Sequence, residues 1–177
     1  MKFLATLLLG GAALGPAAQA QPTTGYIDAS LRLTPACAVN DVAGGNGASV
    51  DFGTLDFGDT TTRFERQDAV LAGSQGEGIA VRCSTGTAAS LQVMVGSNDA
   101  HGGPAQHALA NVTTGASYIP YDLYLDSART QVLRNDTAIP IVGDGSSQKI
   151  PLYARAFGAP GLTAGVYSDV LTLQLDF

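Results

Sequence analysis

Residues 166–177 constrain the fold more tightly than any other stretch, because they read as a β-strand with one buried face. Leu171, Leu173, Leu175 and Phe177 alternate with Val170, Thr172, Gln174 and Asp176. That two-residue period turns one set toward a core and the other toward solvent. No polar tail follows, so the expectation is a chain that stops inside its own sheet. A matching pattern lies near the other end, where Ile27, Ala29, Leu31 and Leu33 alternate with Asp28, Ser30, Arg32 and Thr34. A β-domain with an apolar last strand and a spare first one points to strand exchange between molecules.

The sequence in between repeats the same signal. Val50 and Phe52 alternate; so do Ile79, Val81 and Cys83, with Arg82 opposite. Leu91, Val93 and Val95 follow, then Ile119, Tyr121, Leu123 and Leu125, then Ile139 and Ile141, then Ile150, Leu152 and Ala154. Turn-rich spacers separate them: Gly44-Gly45-Asn46-Gly47, Gly96-Ser97-Asn98-Asp99, Gly102-Gly103-Pro104 and Gly143-Asp144-Gly145-Ser146. Only Arg63–Leu71 is compatible with a turn or two of helix. Short strands with such spacers predict an all-β sandwich, with an up-and-down barrel as the alternative. Asp51-Phe52-Gly53 and Asp56-Phe57-Gly58 echo each other but are too short for a repeat architecture.

Residues 1–20 read as an export signal. Lys2 supplies the positive start, an apolar run reaches about Leu14, and Ala18-Gln19-Ala20 fits the small-x-small cleavage rule. The predicted product begins at Gln21 and has no second hydrophobic segment. In an oxidising compartment Cys37 and Cys83 are expected to pair. The formal net charge is −6, and Lys149 is the only lysine beyond the signal. Nucleic acid binding is therefore not expected, since phosphates need a basic patch to neutralise them. Charged residues make up 14% of the chain, below the usual quarter or so, which fits a surface partly covered by partners.

Catalytic and metal-binding chemistry finds little to build on. His101 and His107 lie six residues apart across Gly-Gly-Pro and read as exposed loop histidines rather than ligands. No nucleophile elbow is present. Asp51, Asp56 and Asp59 lack the spacing of a calcium loop and read as turn-capping residues. Asn111-Val112-Thr113 and Asn135-Asp136-Thr137 satisfy the glycosylation tripeptide. Alternation puts Tyr121 in the core and leaves Tyr124 and Tyr153 as candidate subunit contacts. The expectation is a protein that is not an enzyme and needs no cofactor and no metal.

Several segments in order carry a family resemblance. They are Cys37 soon after the first strand, Phe52-Gly53, Gly78–Cys83 (GIAVRC) and Tyr121–Tyr124 (YDLY) followed by Asp126. Ile150–Arg155 (IPLYAR) and Ala164–Asp169 (AGVYSD) complete the series. Over nearly all of its length beyond residue 20 the chain resembles the spore coat protein U domain family, whose members include pilins of archaic chaperone–usher pili. Ala154 stands where the family often has Gly, and Val132-Leu133-Arg134 where it often has a Trp. Both departures bear on subunit type more than on fold.

The resemblance implies an incomplete immunoglobulin-like β-sandwich that lacks its last strand and is completed by a donated strand. It implies a signal at 1–20, an N-terminal donor extension at 21–35 and a pilin-like domain at 36–177. Ile27, Ala29, Leu31 and Leu33 would be the donor side chains, and Leu171, Leu173, Leu175 and Phe177 would line the acceptor groove. The implied partners are a periplasmic pilus chaperone, an outer-membrane usher and neighbouring copies or related pilin subunits. The implied role is structural, in a surface pilus or coat that supports adhesion and biofilm formation. A tip or minor adhesin and a spore-coat-type protein are the alternatives. Burying Ile27, Leu31 and Leu33 would contribute roughly 1.5–3 kcal/mol each before ordering costs. Whether Gly25–Leu33 acts in trans or pairs within its own domain, and whether the donor stops near Ala29, the sequence leaves open.

Overall fold

A computed structural model describes residues 21, 23–45 and 49–177. The predicted signal at 1–20 and part of the Gly44–Gly47 turn lie outside the described residues. The chain divides after Leu33. From Gln21 to Ala36 the described residues form no strand and are exposed. Tyr26, Ile27, Leu31 and Leu33 are each at least 84% exposed, an unusual state for large apolar side chains.

The body of the protein, from Thr34 to Phe177, is all-β and every described strand pair is antiparallel. One sheet runs in the order Ser147–Ile150, Ile79–Cys83, Cys37–Val39, Val42–Ala43. A second runs Tyr167–Ser168, His107–Asn111, Tyr118–Tyr124, Tyr153–Phe157, Arg66–Gly73, Thr54–Leu55. Val132–Leu133 and Gly76–Glu77 add short pairings to it. The third has three strands, Ile139–Val142, Ala88–Gly96 and Leu171–Asp176, with Ala88–Gly96 in the middle.

The three sheets share one apolar core. Val39, Ile79 and Val81 come from the first, Leu71, Ile119 and Leu123 from the second, and Leu91, Val93 and Ile141 from the third. Cys37 and Cys83 sit directly opposite each other in the ladder and form a disulfide. Next to it a two-residue hairpin turn places Asn40 and Asp41 at positive φ, as the twist of a tight antiparallel pair demands.

Three expectations are corrected. Arg63–Leu71 makes no helical turn: Arg66–Gly73 is a strand, paired along one side with Tyr153–Phe157 and tied by a bidentate Arg155–Asp68 contact. Pairing with neighbours outweighs a short segment's local preference. Val95 does not share the buried face of Leu91 and Val93 but is half exposed. The register explains it, since Val95 lies opposite Thr172 and Val93 opposite Leu173, leaving Met94 as the extra residue of a β-bulge. One extra residue reverses the alternation beyond it, so Gly96, not Val95, turns inward. Tyr124 is buried, not an outward contact, in the same ladder row as Val132 and Tyr153. Tyr153 stays half-buried, with the Arg129 guanidinium over its ring.

The disulfide closes a long loop, with a sequence separation of 46. Replacing Cys37 and Cys83 together with Ser is expected to lower unfolding stability by about 4 kcal/mol through the released chain entropy. Urea unfolding measures this; an unchanged midpoint and slope would contradict it.

Candidate functional site

The final strand is where the sheet stops. Leu171–Asp176 pairs with Ala88–Gly96 and with no other described strand, so one row of its backbone N–H and C=O groups faces no ladder. Leu171, Leu173 and Leu175 are half-buried against the core, while Thr172, Gln174 and Asp176 are exposed, as the alternation requires. Phe177 continues the apolar row and is 43% exposed. Beside this strand runs an open groove of two hollows, lined by apolar side chains together with polar groups along the strand edge.

The larger hollow, about 850 Å3, extends from Leu171 to Phe177 and is walled by Val39, Val50 and Phe52. The smaller, about 370 Å3, lies at the Leu171 end and is walled by Phe52, Leu55, Phe57, Leu109 and Tyr121. The sequence reading missed much of this second wall, although the doubled Asp-Phe-Gly was its signal. Each of these triplets is a side-chain-closed turn: the Gly53 amide donates to the Asp51 carboxylate at 2.9 Å and the Gly58 amide to Asp56 at 2.8 Å. Between them only Thr54–Leu55 pairs, with Leu71–Ala72. Phe52 and Phe57 are thereby held toward the groove, Phe57 edge-on to Tyr121 with ring centroids 5.8 Å apart. Gly53 is required here, having φ +124 and a backbone so close that a Cβ would meet the Ala72 carbonyl oxygen at 2.5 Å.

A polar cluster closes the smaller hollow. Tyr121 donates its hydroxyl to Asp169 at 2.8 Å, and Asn98 Nδ2 donates to the other carboxylate oxygen at 2.8 Å. Behind it His107 and Asp99 pair at 2.7 Å, and Asp99 also accepts the Gly96 amide and Asn135 Nδ2. His107 is thus fully buried at the start of a strand, which corrects the expectation of an exposed loop histidine. His101 is exposed and stacks on Tyr118 at 3.8 Å. Gly96, turned inward by the bulge, makes the room: a Cβ there would meet Asp99 at 2.4 Å and Asp169 at 2.8 Å.

Burial pushes the Asp99 carboxyl up, but the Gly96 amide, the His107 hydrogen bond and charge, and Asn135 together outweigh it and hold it below 3.8. Burial likewise drives the Tyr121 phenol far above its ordinary range, with Asp169 adding to the effect. Among the described residues His107 Nε2 has no hydrogen-bond partner. Among the described residues no group of His, Cys, Asp and Glu could hold a metal ion. No described helix is long and apolar enough to cross a membrane.

Of the residues singled out from sequence, Leu171, Leu173, Leu175 and Phe177 all line the groove. Cys37 and Cys83 lie together in the neighbouring sheet. Ile27, Ala29, Leu31 and Leu33 lie in the exposed stretch before Thr34.

The model of the Spore Coat Protein U domain matches residues 23–174. No curated protein matches the chain in sequence. Among solved structures it is similar to a chaperone–tip adhesion subunit pre-assembly complex from archaic chaperone–usher Csu pili of Acinetobacter baumannii. That likeness has 18% identity and a TM-score of 0.44, and covers 81% of this chain but 40% of the other.

Because its folded-state value is depressed, Asp99 adds stability above about pH 4 that is lost as pH falls through the lowered value. Asp99→Asn is therefore expected to flatten the fall in thermal midpoint between about pH 4.5 and 2.5 relative to wild type. Parallel curves for the two proteins would contradict this.

Proposed function

We propose, from the premise that the chain belongs to the Spore Coat Protein U domain family, that it is an exported structural subunit polymerised by strand donation. The observation that carries the reading is the open edge of Leu171–Asp176 beside an apolar groove. A half-buried leucine row with an unpaired backbone edge is an aggregation hazard unless another strand covers it. The body is then an incomplete immunoglobulin-like sandwich of residues 36–177, and the missing strand comes from outside it.

Residues 21–35 fit the donor's role. The described ones among them are exposed, and Ile27, Ala29, Leu31 and Leu33 present apolar side chains at the strand period. The seven residues from Ile27 to Leu33 equal in number the seven from Leu171 to Phe177. Added as a strand, the segment would pair its backbone with the open edge while its side chains fill the two hollows. A periplasmic chaperone holds the groove before assembly, an outer-membrane usher exports the subunit, and the next copy or a related subunit takes over the groove. The signal at 1–20 delivers the chain to that route, and the product is a surface pilus or coat supporting adhesion and biofilm formation.

Leu31→Asp tests the reading. A carboxylate in the apolar groove without a partner costs several kcal/mol. The variant is expected to fold, to be found with its chaperone, and to form no SDS-resistant polymer. Wild-type amounts of polymer from Leu31→Asp would remove the donor assignment.

A further inference from the structure

The three-stranded sheet has a second edge, and it is finished differently from the first. Ile139–Val142 pairs with Ala88–Gly96 along one side, Pro140 lying opposite Ser90 and Val142 opposite Ala88. Residues along an antiparallel strand alternate between bonding to the partner and pointing their N–H and C=O away from it. Val142 points away: its N–H donates to Gln148 Oε1 at 3.3 Å and its C=O accepts Gln148 Nε2. Two residues earlier the alternation aims Pro140 the same way, and proline has no N–H to offer. Among the described residues, then, neither outward position of this strand presents a free N–H.

Gln148 reaches this edge from Ser147–Ile150, the margin strand of the first sheet. The turn between the two strands holds it in range. The Gly145 amide donates to the Cys83 carbonyl at 3.0 Å, the Gly86 amide donates to the Gly143 carbonyl at 2.8 Å, and the Asp144 carboxylate accepts the Ser146 amide at 2.8 Å. Gly143 packs so closely here that a Cβ would meet the Thr87 carbonyl oxygen at 2.2 Å. Val142 is itself 62% exposed. Unguarded, the edge would set an apolar side chain beside free backbone groups, a hazard that edge prolines and covering groups suppress. The Leu171–Asp176 edge has neither device: it contains no proline, and its Gln174 amide donates to the Asp176 side chain. We infer that Pro140 and Gln148 guard the Ile139–Val142 edge, so that this sheet takes an added strand on its Leu171–Asp176 side alone. The inference rests on the strand-donation reading for the strand that is kept out, Ile27–Leu33 of another copy. It adds a rule for assembly: bodies do not join side to side through the guarded edge.

The test uses the full chain and two readouts. Gln148→Ala removes the cap, and the Val142 amide is expected to exchange about threefold or more faster than in wild type. Pro140→Val with Gln148→Ala also restores an N–H at position 140. The fraction of secreted polymer that sediments as side-to-side aggregate is then expected to rise about fivefold or more, with SDS-resistant polymer within about threefold of wild type. Pro140→Val with Gln148→Glu puts a carboxylate on the same edge and is expected to bring that fraction back to within about twofold of wild type, which lost stability alone would not do. Polymer from Pro140→Val with Gln148→Ala that stays as dispersed as wild type overturns the guard and leaves strand donation standing. Equal aggregation of the Ala and Glu variants overturns it too. Should the double variants not fold, Val142 exchange in Gln148→Ala decides, and an unchanged rate overturns the guard. Polymer from Leu31→Asp defeats the donation reading itself, so the two failures are distinguishable.

Discussion

Everything in this structure turns on a strand paired along one side only. Leu171–Asp176 has Ala88–Gly96 as its ladder partner and carries three leucines that reach the core without being covered by it. Folding leaves these side chains half-buried, and the backbone edge they stand beside has hydrogen-bonding groups that no described strand satisfies. Elsewhere the core is closed: Ile79, Val81, Leu91 and Leu123 are fully buried, and a disulfide ties the two strands next to the groove wall. Of the described sheet edges, this one carries a row of half-buried leucines beside an open groove, and an exposed segment of matching length and pattern precedes the body.

The facing wall is built differently, and that matters for what the groove can hold. Residues 49–59 contribute only two paired residues, so their shape comes from side-chain-to-backbone hydrogen bonds and glycine geometry. Such turns fix Phe52 and Phe57 without a flanking strand, which keeps the margin open while holding the aromatic rings still. At the closed end, the bulge at Met94 turns Gly96 inward, and the space left by its missing side chain is filled by Asp99, Asp169 and His107. The buried carboxylates have hydrogen-bond donors aimed at them, which is what allows charge so near an apolar hollow.

Much of this was legible in the sequence. The two-residue alternation of Leu171, Leu173 and Leu175 needs no neighbours to be read, because one face of the strand is buried and the other is not. Ile79–Cys83 and Ile119–Leu123 were legible for the same reason. What escaped depended on partners distant in sequence. Arg66–Gly73 resembles a helical turn until Tyr153–Phe157 pairs with it. Val95 fits the alternation until the bulge shifts its phase. His107, six residues from an exposed histidine, gave no sign that Asp99 and Asn135 would meet it in the interior. The Asp-Phe-Gly doublet was visible as a pattern, yet its meaning required knowing that both rings face one groove.

The central claim is that the open margin of Leu171–Asp176 is closed by Ile27–Leu33 of a neighbouring molecule. Amide hydrogen exchange, read residue by residue in the isolated subunit and in secreted polymer, tests it most directly. The account predicts that alternate amides of Leu171–Asp176 and the amides of Ile27–Leu33 exchange quickly in the subunit, and that both sets become protected together in the polymer. Full protection of Leu171–Asp176 already in the isolated subunit, or fast exchange of Ile27–Leu33 in the polymer, would contradict it.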